Sequence, residues 1–201
     1  MIYFRLRDFF SVLLYRLLAP LFAKFGRGVR VVYPLRIWGA RHIALEDNVT
    51  IEYGSYIAVL PQQGQPVRLQ IGEGSQIGNQ GHISGTRRSA IGANVLIAGH
   101  VYLSDNLHEY QDVTRPVLHQ GLKQIGDVEI GDGAWIGENA CIVGARIGKG
   151  SVIGANAVVT RDILDYCVAV GAPAVVIRRY DSARGAWLRT SPDGAALGRS
   201  G

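Results

Sequence analysis

The sequence predicts a mainly β chain built from stacked coils of three short strands, and three observations lead to this prediction. An aliphatic residue recurs every six positions through five segments, which are 45–57, 71–83, 91–103, 130–142 and 147–159. Glycine supplies 26 of the 201 residues, well above its average of roughly 7%, without a collagen-like period. Aromatic residues make up only 8% of a chain that is 48% hydrophobic, so the core is expected to consist of Ile, Val, Leu and Ala.

The six-residue period excludes the commoner arrangements. One aliphatic residue in six is too sparse for the apolar face of a helix and for the alternating strands of hairpins. It suits a coil in which each of three strands points one aliphatic side chain inward, onto the same position of the next coil. Residues such as Gly131 and Asn94 then serve the corners, where a positive φ or a close backbone approach is needed.

Residues 1–30 are predicted to form a separate amphipathic helical segment. Apolar residues recur every four positions in two rows, which is a helical period, and Pro20 is expected to end or kink the helix. The rows are Phe10, Leu14, Leu18 and Phe22, and Phe9, Leu13, Leu17, Leu21 and Phe25. The longest uncharged runs, 9–15 and 17–23, are too short for a membrane span of roughly 20 residues, and no signal-peptide cleavage site follows.

The excess positive charge belongs to this first segment. Residues 1–30 carry six basic residues against Asp8 alone, whereas the rest of the chain carries 15 basic and 15 acidic residues. Two interpretations follow: the helix packs on or caps the main domain, or it lies in a membrane interface with its arginines toward anionic head groups. The neutral body lacks the basic stripe of a nucleic-acid-binding protein, so no nucleic-acid partner is expected.

The main domain is predicted to cover 31–180, and 181–201, rich in Gly, Ala and Ser, is predicted to be a disordered tail. The two cysteines, Cys141 and Cys167, are too few for a disulfide scaffold and lack metal-site spacing. We therefore expect reduced thiols in a cytoplasmic protein.

The repeat is broken once at length, between Leu103 and Ile125, by a polar stretch that contains "SDNLHEY". Long insertions in such repeats often carry the binding face. The stretch presents His108, and a neutral imidazole can accept a proton from a hydroxyl group near neutral pH.

Several motifs together resemble the hexapeptide-repeat acyltransferases. They are the "IGxx[AS]xIG" hexads, the histidine-bearing excursion, "WIG" at 135–137 and "VVTRDI…AVGAPAVVIRR" at 158–179. Within that family the chain is similar to the branch that O-acetylates sugars of bacterial cell-surface polysaccharides and lipopolysaccharides. The resemblance covers 45–180 and implies a left-handed parallel β-helix, a homotrimer, and acetyl-CoA in the cleft between two subunits.

The resemblance also implies roles for individual residues. His108 matches the catalytic base, and Asp105, in preference to Glu109 or a backbone carbonyl, is expected to fix its tautomer. The backbone N–H of Glu138, which follows "WIG", matches the donor to the oxyanion, although the family often has a small residue there. Expected contacts to CoA are Trp135, Ala155, Thr160, Arg161, Arg178 and Arg179, and expected contacts to the acceptor are His82, His100, Asp112 and Arg115.

The sequence thus predicts a cytoplasmic, acetyl-CoA-dependent O-acetyltransferase that acts on a sugar of a cell-surface polysaccharide or its lipid-linked precursor. Whether residues 1–25 contact the inner face of the membrane or cap the β-helix stays open. An N-acetyltransferase acting on a nucleotide-linked amino sugar or another small acceptor is the alternative on the same fold. A zinc-dependent or non-catalytic β-helix is a further alternative, but no metal is expected. The acceptor, the acylated position and the length of the acyl donor stay open.

Overall fold

In this computed structural model, which describes residues 2–60 and 68–191, one helix is followed by a column of stacked coils. The helix, α1, covers Ile2–Leu17 and leads into a 3-10 turn at Ala19–Leu21. The first three coils contain β1 (Lys24–Phe25), β2 (Arg30–Val31), β3 (Arg36–Trp38), β4 (Ile43–Leu45), β5 (Thr50–Ile51), β6 (Tyr56–Val59), β7 (Arg68–Ile71), β8 (Gln76–Ile77) and β9 (His82–Gly85), with a 3-10 turn at Ala40–His42.

The fourth coil precedes the long excursion, and the remaining coils follow it. The fourth contains β10 (Arg88–Ile91), β11 (Leu96–Ile97) and β12 (Tyr102–Ser104). The excursion contains β13 (Asn106–His108), a 3-10 turn at Val117–His119, and β14 (Leu122–Gln124). The chain ends in β15 (Val128–Ile130), β16 (Trp135–Ile136), β17 (Cys141–Val143), β18 (Arg146–Ile147), β19 (Val152–Ile153), β20 (Val158–Val159), β21 (Cys167–Val170), β22 (Val175–Asp181) and β23 (Ala186–Arg189).

The coils stack into three walls. Sheet A has the order β1-β4-β7-β10-β15-β18, sheet B begins β2-β5-β8-β11-β16-β19-β21, and sheet C has the order β3-β6-β9-β12-β17-β20. Neighbouring strands pair in parallel, for example Leu96 with Gln76 on one side and with Trp135 on the other. Each N–H and C=O in these strands therefore bonds to the coil above or below, which leaves free edges only at the two ends.

The predicted aliphatic positions form three internal ladders. In sheet B the ladder runs Val31, Ile51, Ile77, Ile97, Ile136, Ile153 and Ala169, all of which are buried. Equivalent ladders in sheets A and C receive the first and third aliphatic residue of each predicted segment, for example Ile91 and Leu103. The six-residue prediction is confirmed, since each segment supplies one residue to each wall.

The corners need residues that tolerate unusual backbone geometry. Asn94 has φ 54°, in the left-handed region that asparagine tolerates better than most residues. Gly131 has no positive φ, but a Cβ there would lie 2.5 Å from the backbone N of Lys149 in the next coil. Asn94 and Gly131 thus show the two uses predicted for corner residues, which are a left-handed turn and a close approach between coils.

The observed boundaries differ from the predicted ones at both ends. The first coil begins at Lys24 rather than at residue 31, because Phe25, Val31 and Ile37 already follow the six-residue step. Residues 181–191 are not disordered, since β22 and β23 form an antiparallel hairpin that extends sheet B. The predicted tail beyond residue 191 lies outside the described residues.

We predict that Ile97→Ala lowers the free energy of unfolding by about 2–5 kcal/mol, because it removes a fully buried side chain from the middle of a ladder. The neighbouring Leu96→Ala is the matched control: Leu96 points outward, is 46% exposed, and should cost less than about 1 kcal/mol. Urea denaturation followed by circular dichroism measures both. Equal losses would contradict the assignment of inward and outward positions.

Candidate active site

The histidine predicted to be catalytic lies on a hairpin that projects from the β-helix. The excursion leaves sheet C after β12, forms the antiparallel pair β13–β14, and returns where the Ile125 N–H donates to the Asp105 carbonyl at 3.0 Å. His108 pairs in register with Leu122 and is exposed. Its ring makes no hydrogen bond within the described part of the chain. The imidazole is therefore held out on an ordered strand and is open to a ligand.

Asp105 holds the base of this hairpin. Its carboxylate is fully buried and accepts hydrogen bonds from the Thr86 N–H at 2.8 Å, the Thr86 hydroxyl at 2.9 Å, the Arg87 N–H at 2.9 Å and the Asn106 amide at 2.7 Å. These donors occupy both oxygens. The prediction that Asp105 fixes the tautomer of His108 is therefore wrong, because the carboxylate joins the excursion to the preceding coil instead.

The tip of the excursion is braced by its own side chains. Asp112 accepts from the N–H of Thr114 at 3.0 Å and from its hydroxyl, and these bonds lower the pKa of the Asp112 carboxyl. Arg115 donates to the carbonyl of His119, and the Gln120 amide donates to the Arg115 carbonyl at 2.7 Å. Two of the four residues predicted to contact the acceptor sugar, Asp112 and Arg115, thus lie on an ordered tip where they also maintain the turn.

Acidic side chains cap the free N–H groups at the corners between coils. At the corner between sheets A and B, Asp47 accepts from the Arg27 N–H at 2.9 Å and Asp132 accepts from the Ala93 N–H at 2.8 Å. At the corner between sheets B and C, which we call corner BC, Glu138 accepts from the Gly99 N–H at 3.2 Å. The Glu138 side chain, whose role the sequence left open, is thus a corner cap.

The N–H of Glu138 itself is left without such a cap. The register of β16 with β19 continues through the corner, so the residue opposite Glu138 in the next coil is Ala155. A methyl group cannot accept a hydrogen bond, and no acceptor for this N–H occurs in the described residues. A backbone donor thus points outward at corner BC, next to the exposed Ala155.

His82 lies on the outer face of sheet C between two tyrosines. Its ring centroid is 4.6 Å from that of Tyr56 and 5.1 Å from that of Tyr102, and the three residues are in register on β6, β9 and β12. Partial burial of the ring lowers the pKa of His82, which favours neutral imidazole. Sequence analysis did not predict a role for the two tyrosines, although each of them precedes a ladder residue by one position, as His82 does.

His100 has a different environment. It occupies the left-handed position of corner BC, with φ 57°, and its Nε2 is 4.0 Å from a carboxylate oxygen of Glu138. The excursion with His108 leaves from the other edge of sheet C.

In residues 2–60 and 68–191 no three His, Cys, Asp or Glu side chains form a group that could hold a metal ion.

The predicted CoA contacts are divided between two edges of sheet C. Trp135 lies on the outer face of sheet B, 50% exposed, and Ala155 lies at the adjacent corner BC. Thr160 and Arg161 lie beyond β20, at the opposite edge, which we call corner CA. Three residues of strand separate the two corners, a distance of about 10 Å.

The two adjacent arginines predicted to contact phosphates point to different faces. Arg178 is in register with Val168 and shares the outer face of sheet B, whereas Arg179 is in register with Cys167. Arg179 instead lines a cleft of 960 Å³ on the outer face of sheet A, together with Arg88, Arg146 and Lys149 and the carboxylates of Glu129, Asp132, Asp162 and Asp165. Alternate residues of a strand face opposite sides, so the two arginines of one chain point away from each other, and their contact with the same nucleotide stays a prediction.

Comparison with known proteins agrees with this architecture. A family profile described as the hexapeptide repeat of succinyl-transferase matches residues 127–161. The N-acyltransferase AntD from Bacillus cereus, solved with dTDP and 3-hydroxybutyryl-CoA, superposes with a TM-score of 0.69 at 19% identity, over 85% of this chain and 90% of that one.

The chain has the fold of the hexapeptide-repeat acyltransferases. A maltose O-acetyltransferase from Clostridium difficile 630 superposes with a TM-score of 0.53 at 26% identity, over 84% of this chain and 75% of that one. A hexapeptide-repeat containing acetyltransferase, VCA0836 from Vibrio cholerae, superposes with a TM-score of 0.55 at 22% identity, over 86% and 82%. No curated protein matches the sequence. The resemblance to the hexapeptide-repeat acyltransferases and the predicted left-handed parallel β-helix are confirmed.

Within this hexapeptide-repeat chain, we predict that Asp105→Ala loosens the base of the excursion. Removing the carboxylate leaves the buried Thr86 N–H without an acceptor, at a cost of about 1–3 kcal/mol, and also removes the acceptor of the Arg87 N–H. Amide hydrogen exchange should speed up at residues 86–87 and across β13 and β14. Asp112→Ala, which removes an exposed carboxylate of the tip, is the control and should leave residues 86–87 protected. Unchanged exchange in Asp105→Ala would contradict the role of Asp105.

Proposed function

We propose that this chain transfers the acetyl group of acetyl-CoA to a hydroxyl group of a sugar, in a bacterial cell-surface polysaccharide or its precursor. The observation that carries the proposal is an exposed imidazole on an ordered excursion from an acyltransferase fold, accompanied by an uncapped backbone donor at corner BC. The likeness to solved structures named as acetyltransferases supports the general reaction.

In the proposed reaction His108 is the general base. Its neutral imidazole accepts the proton of the sugar hydroxyl while the oxygen attacks the thioester carbonyl carbon. The N–H of Glu138 donates to the oxyanion of the tetrahedral intermediate. The intermediate then collapses, the carbon–sulfur bond breaks, and the imidazolium returns the proton to the departing thiolate. The products are an acetyl ester and CoA with a free thiol.

We further propose that the active site is completed by a neighbouring subunit of a homotrimer. Glu138 precedes β17 at corner BC, whereas the excursion with His108 leaves after β12 at corner CA. The two catalytic groups therefore arise from opposite edges of sheet C in one chain, and so do Ala155 and Thr160. A subunit packed with its corner BC against the corner CA of a neighbour brings each pair together, and CoA would lie in the groove between them.

For the acceptor we propose the outer face of sheet C. The rings of Tyr56, His82 and Tyr102 form an outward ladder, and aromatic rings with polar tips suit a sugar that has both an apolar face and hydroxyl groups. His100, Asp112 and Arg115 are proposed to border this surface. Because acetyl-CoA and free thiols such as Cys141 are typical of the cytoplasm, we place the reaction there.

A second acceptor class has its own support. The likeness to AntD, whose solved complexes include dTDP-4-amino-4,6-dideoxyglucose with coenzyme A, favours N-acylation of a nucleotide-linked amino sugar. Since neutral amines are stronger nucleophiles than hydroxyls, this reaction needs less help from a base. The two functions differ in the acceptor that stimulates release of the CoA thiol, and a screen of both classes separates them.

We predict that His108→Ala lowers kcat by about 10²–10⁴-fold, because general-base catalysis contributes that much, while oligomeric state and melting temperature stay unchanged. Thiol release from acetyl-CoA measures the rate, first with free and polysaccharide-linked sugars and then with nucleotide-linked amino sugars. His119→Ala, an exposed histidine of the same excursion, is the matched control and should keep wild-type kcat. Activity of His108→Ala within tenfold of wild type would remove His108 from this role.

We also predict that Ala155→Asp lowers kcat by about 10²–10³-fold, the usual effect of losing an oxyanion donor. The new carboxylate would cap the Glu138 N–H as Asp132 caps that of Ala93, so stability should hold or rise. Ala155→Leu, of similar size but without an acceptor, is the control for steric effects on CoA binding and should act mainly on KM. If both variants lower kcat equally, the Glu138 N–H is not the donor.

A further inference from the structure

The helix α1 packs on the β-helix with its narrower and more polar side. Ser11 is only 4% exposed; its hydroxyl donates to the Val31 carbonyl at 3.0 Å and accepts from the Tyr33 N–H at 2.8 Å. One turn later, Tyr15 packs against the core, and burial raises the pKa of its hydroxyl. These contacts attach the helix to the first coil and fix its rotation about its own axis.

This rotation turns the broad apolar side of the segment toward solvent. Six large apolar side chains lie there, which are Phe9 (61% exposed), Phe10 (61%), Leu13 (44%), Leu14 (51%), Leu17 (72%) and Leu21 (59%). The spacing of the first five places them on adjacent rows of α1, so they form one continuous surface, and Leu21 follows in the 3-10 turn. Soluble proteins rarely leave so many large apolar side chains together in water, and such a surface marks an interaction site.

Basic side chains border this apolar surface. Arg16 and Arg30 are exposed and, with Asp8, Phe9 and Val12, line a shallow depression of 320 Å³ beside the helix. Neither arginine has a carboxylate partner among the described ion pairs, unlike Lys24 and Arg27, which pair with Glu46 and Asp47. The whole of residues 1–30 carries six basic residues against one acidic residue, on a body that is otherwise neutral.

We propose that this surface, Phe9–Leu21 with its basic border, binds the surface of an anionic membrane. An apolar side enters the boundary between head groups and acyl chains, while arginines at its border contact lipid phosphates. The helix has 16 residues and is about 24 Å long, so it lies in the interface rather than across it. In the described part of the chain no helix is long and apolar enough to span a membrane.

The charge of this surface favours an anionic membrane over a second copy of the chain as its binding partner. Two copies that met through this surface would bring borders of the same sign together, whereas anionic lipids neutralise them. The surface lies at the amino-terminal end of the coil column, and the excursion with His108 lies on the fourth coil. The proposed catalytic groups therefore stay outside the contact, and membrane binding does not depend on the proposed acyl transfer.

Vesicle co-sedimentation with the full chain tests the proposal. We expect the protein to sediment with vesicles of phosphatidylcholine mixed with phosphatidylglycerol, to bind phosphatidylcholine vesicles weakly, and to be released from the mixed vesicles by salt. Leu14→Ser combined with Leu17→Ser should lower the partition coefficient by at least about tenfold. Leu35→Ser combined with Leu164→Ser removes two leucines of similar exposure, 75% and 61%, from the β-helix and should bind as wild type.

Several outcomes would overturn the proposal. One is the absence of wild-type binding to the anionic vesicles, and another is an equal loss in both double variants. A third is an oligomer, seen by light scattering, that dissociates only in the Leu14/Leu17 variant while no vesicles are bound, which would identify a contact between copies. Urea denaturation checks that both double variants fold. Thiol release with a soluble acceptor should persist in the Leu14/Leu17 variant, so failure of membrane binding and failure of the proposed enzyme activity remain distinguishable.

Discussion

The structure depends on one constraint, which is the register between successive coils. Every coil must place its aliphatic residue over that of the previous coil, because the interior is narrow and backbone pairing is continuous. A single inserted residue within a strand would turn the aliphatic side chain outward and break the ladder. Insertions are therefore confined to corners, and the long excursion leaves at the corner that follows Ser104.

The site is built where the repeated pattern fails. Most coils repeat the same arrangement of strand and corner, and the backbone N–H at a corner is often capped by an acidic side chain of the next coil. At Ala155 the cap is missing, as it is where Ala93 lies opposite Glu73 and Gly99 lies opposite Asn79, and at Asp105 a buried carboxylate holds an inserted hairpin in place. The missing cap leaves a backbone donor free at Glu138, and the inserted hairpin presents the imidazole of His108. A regular scaffold makes such exceptions rigid, which is what a catalytic arrangement needs.

Separation of function along the column follows from the same geometry. Because each coil contacts only its neighbours, the amino-terminal end can carry an attached helix without altering the walls that hold the site. The helix contributes Tyr15 and a buried hydroxyl, Ser11, to its contact with the first coil. The remaining apolar side of the helix does not pack against the β-helix. The helix in turn does not pack against the coils that carry the proposed site.

The sequence by itself determined the coils, the three ladders, the corner residues and the position of the histidine-bearing excursion. These features depend on neighbouring residues and recur in every coil, so the same sequence pattern appears several times. Even the first coil could have been predicted from Phe25, Val31 and Ile37. Only the tertiary structure decided that Asp105 binds Thr86 rather than His108, that Arg178 and Arg179 point to different faces, and which side of α1 meets water. Each of these depends on a single contact between residues far apart in the chain, and no periodic pattern encodes a contact that occurs once.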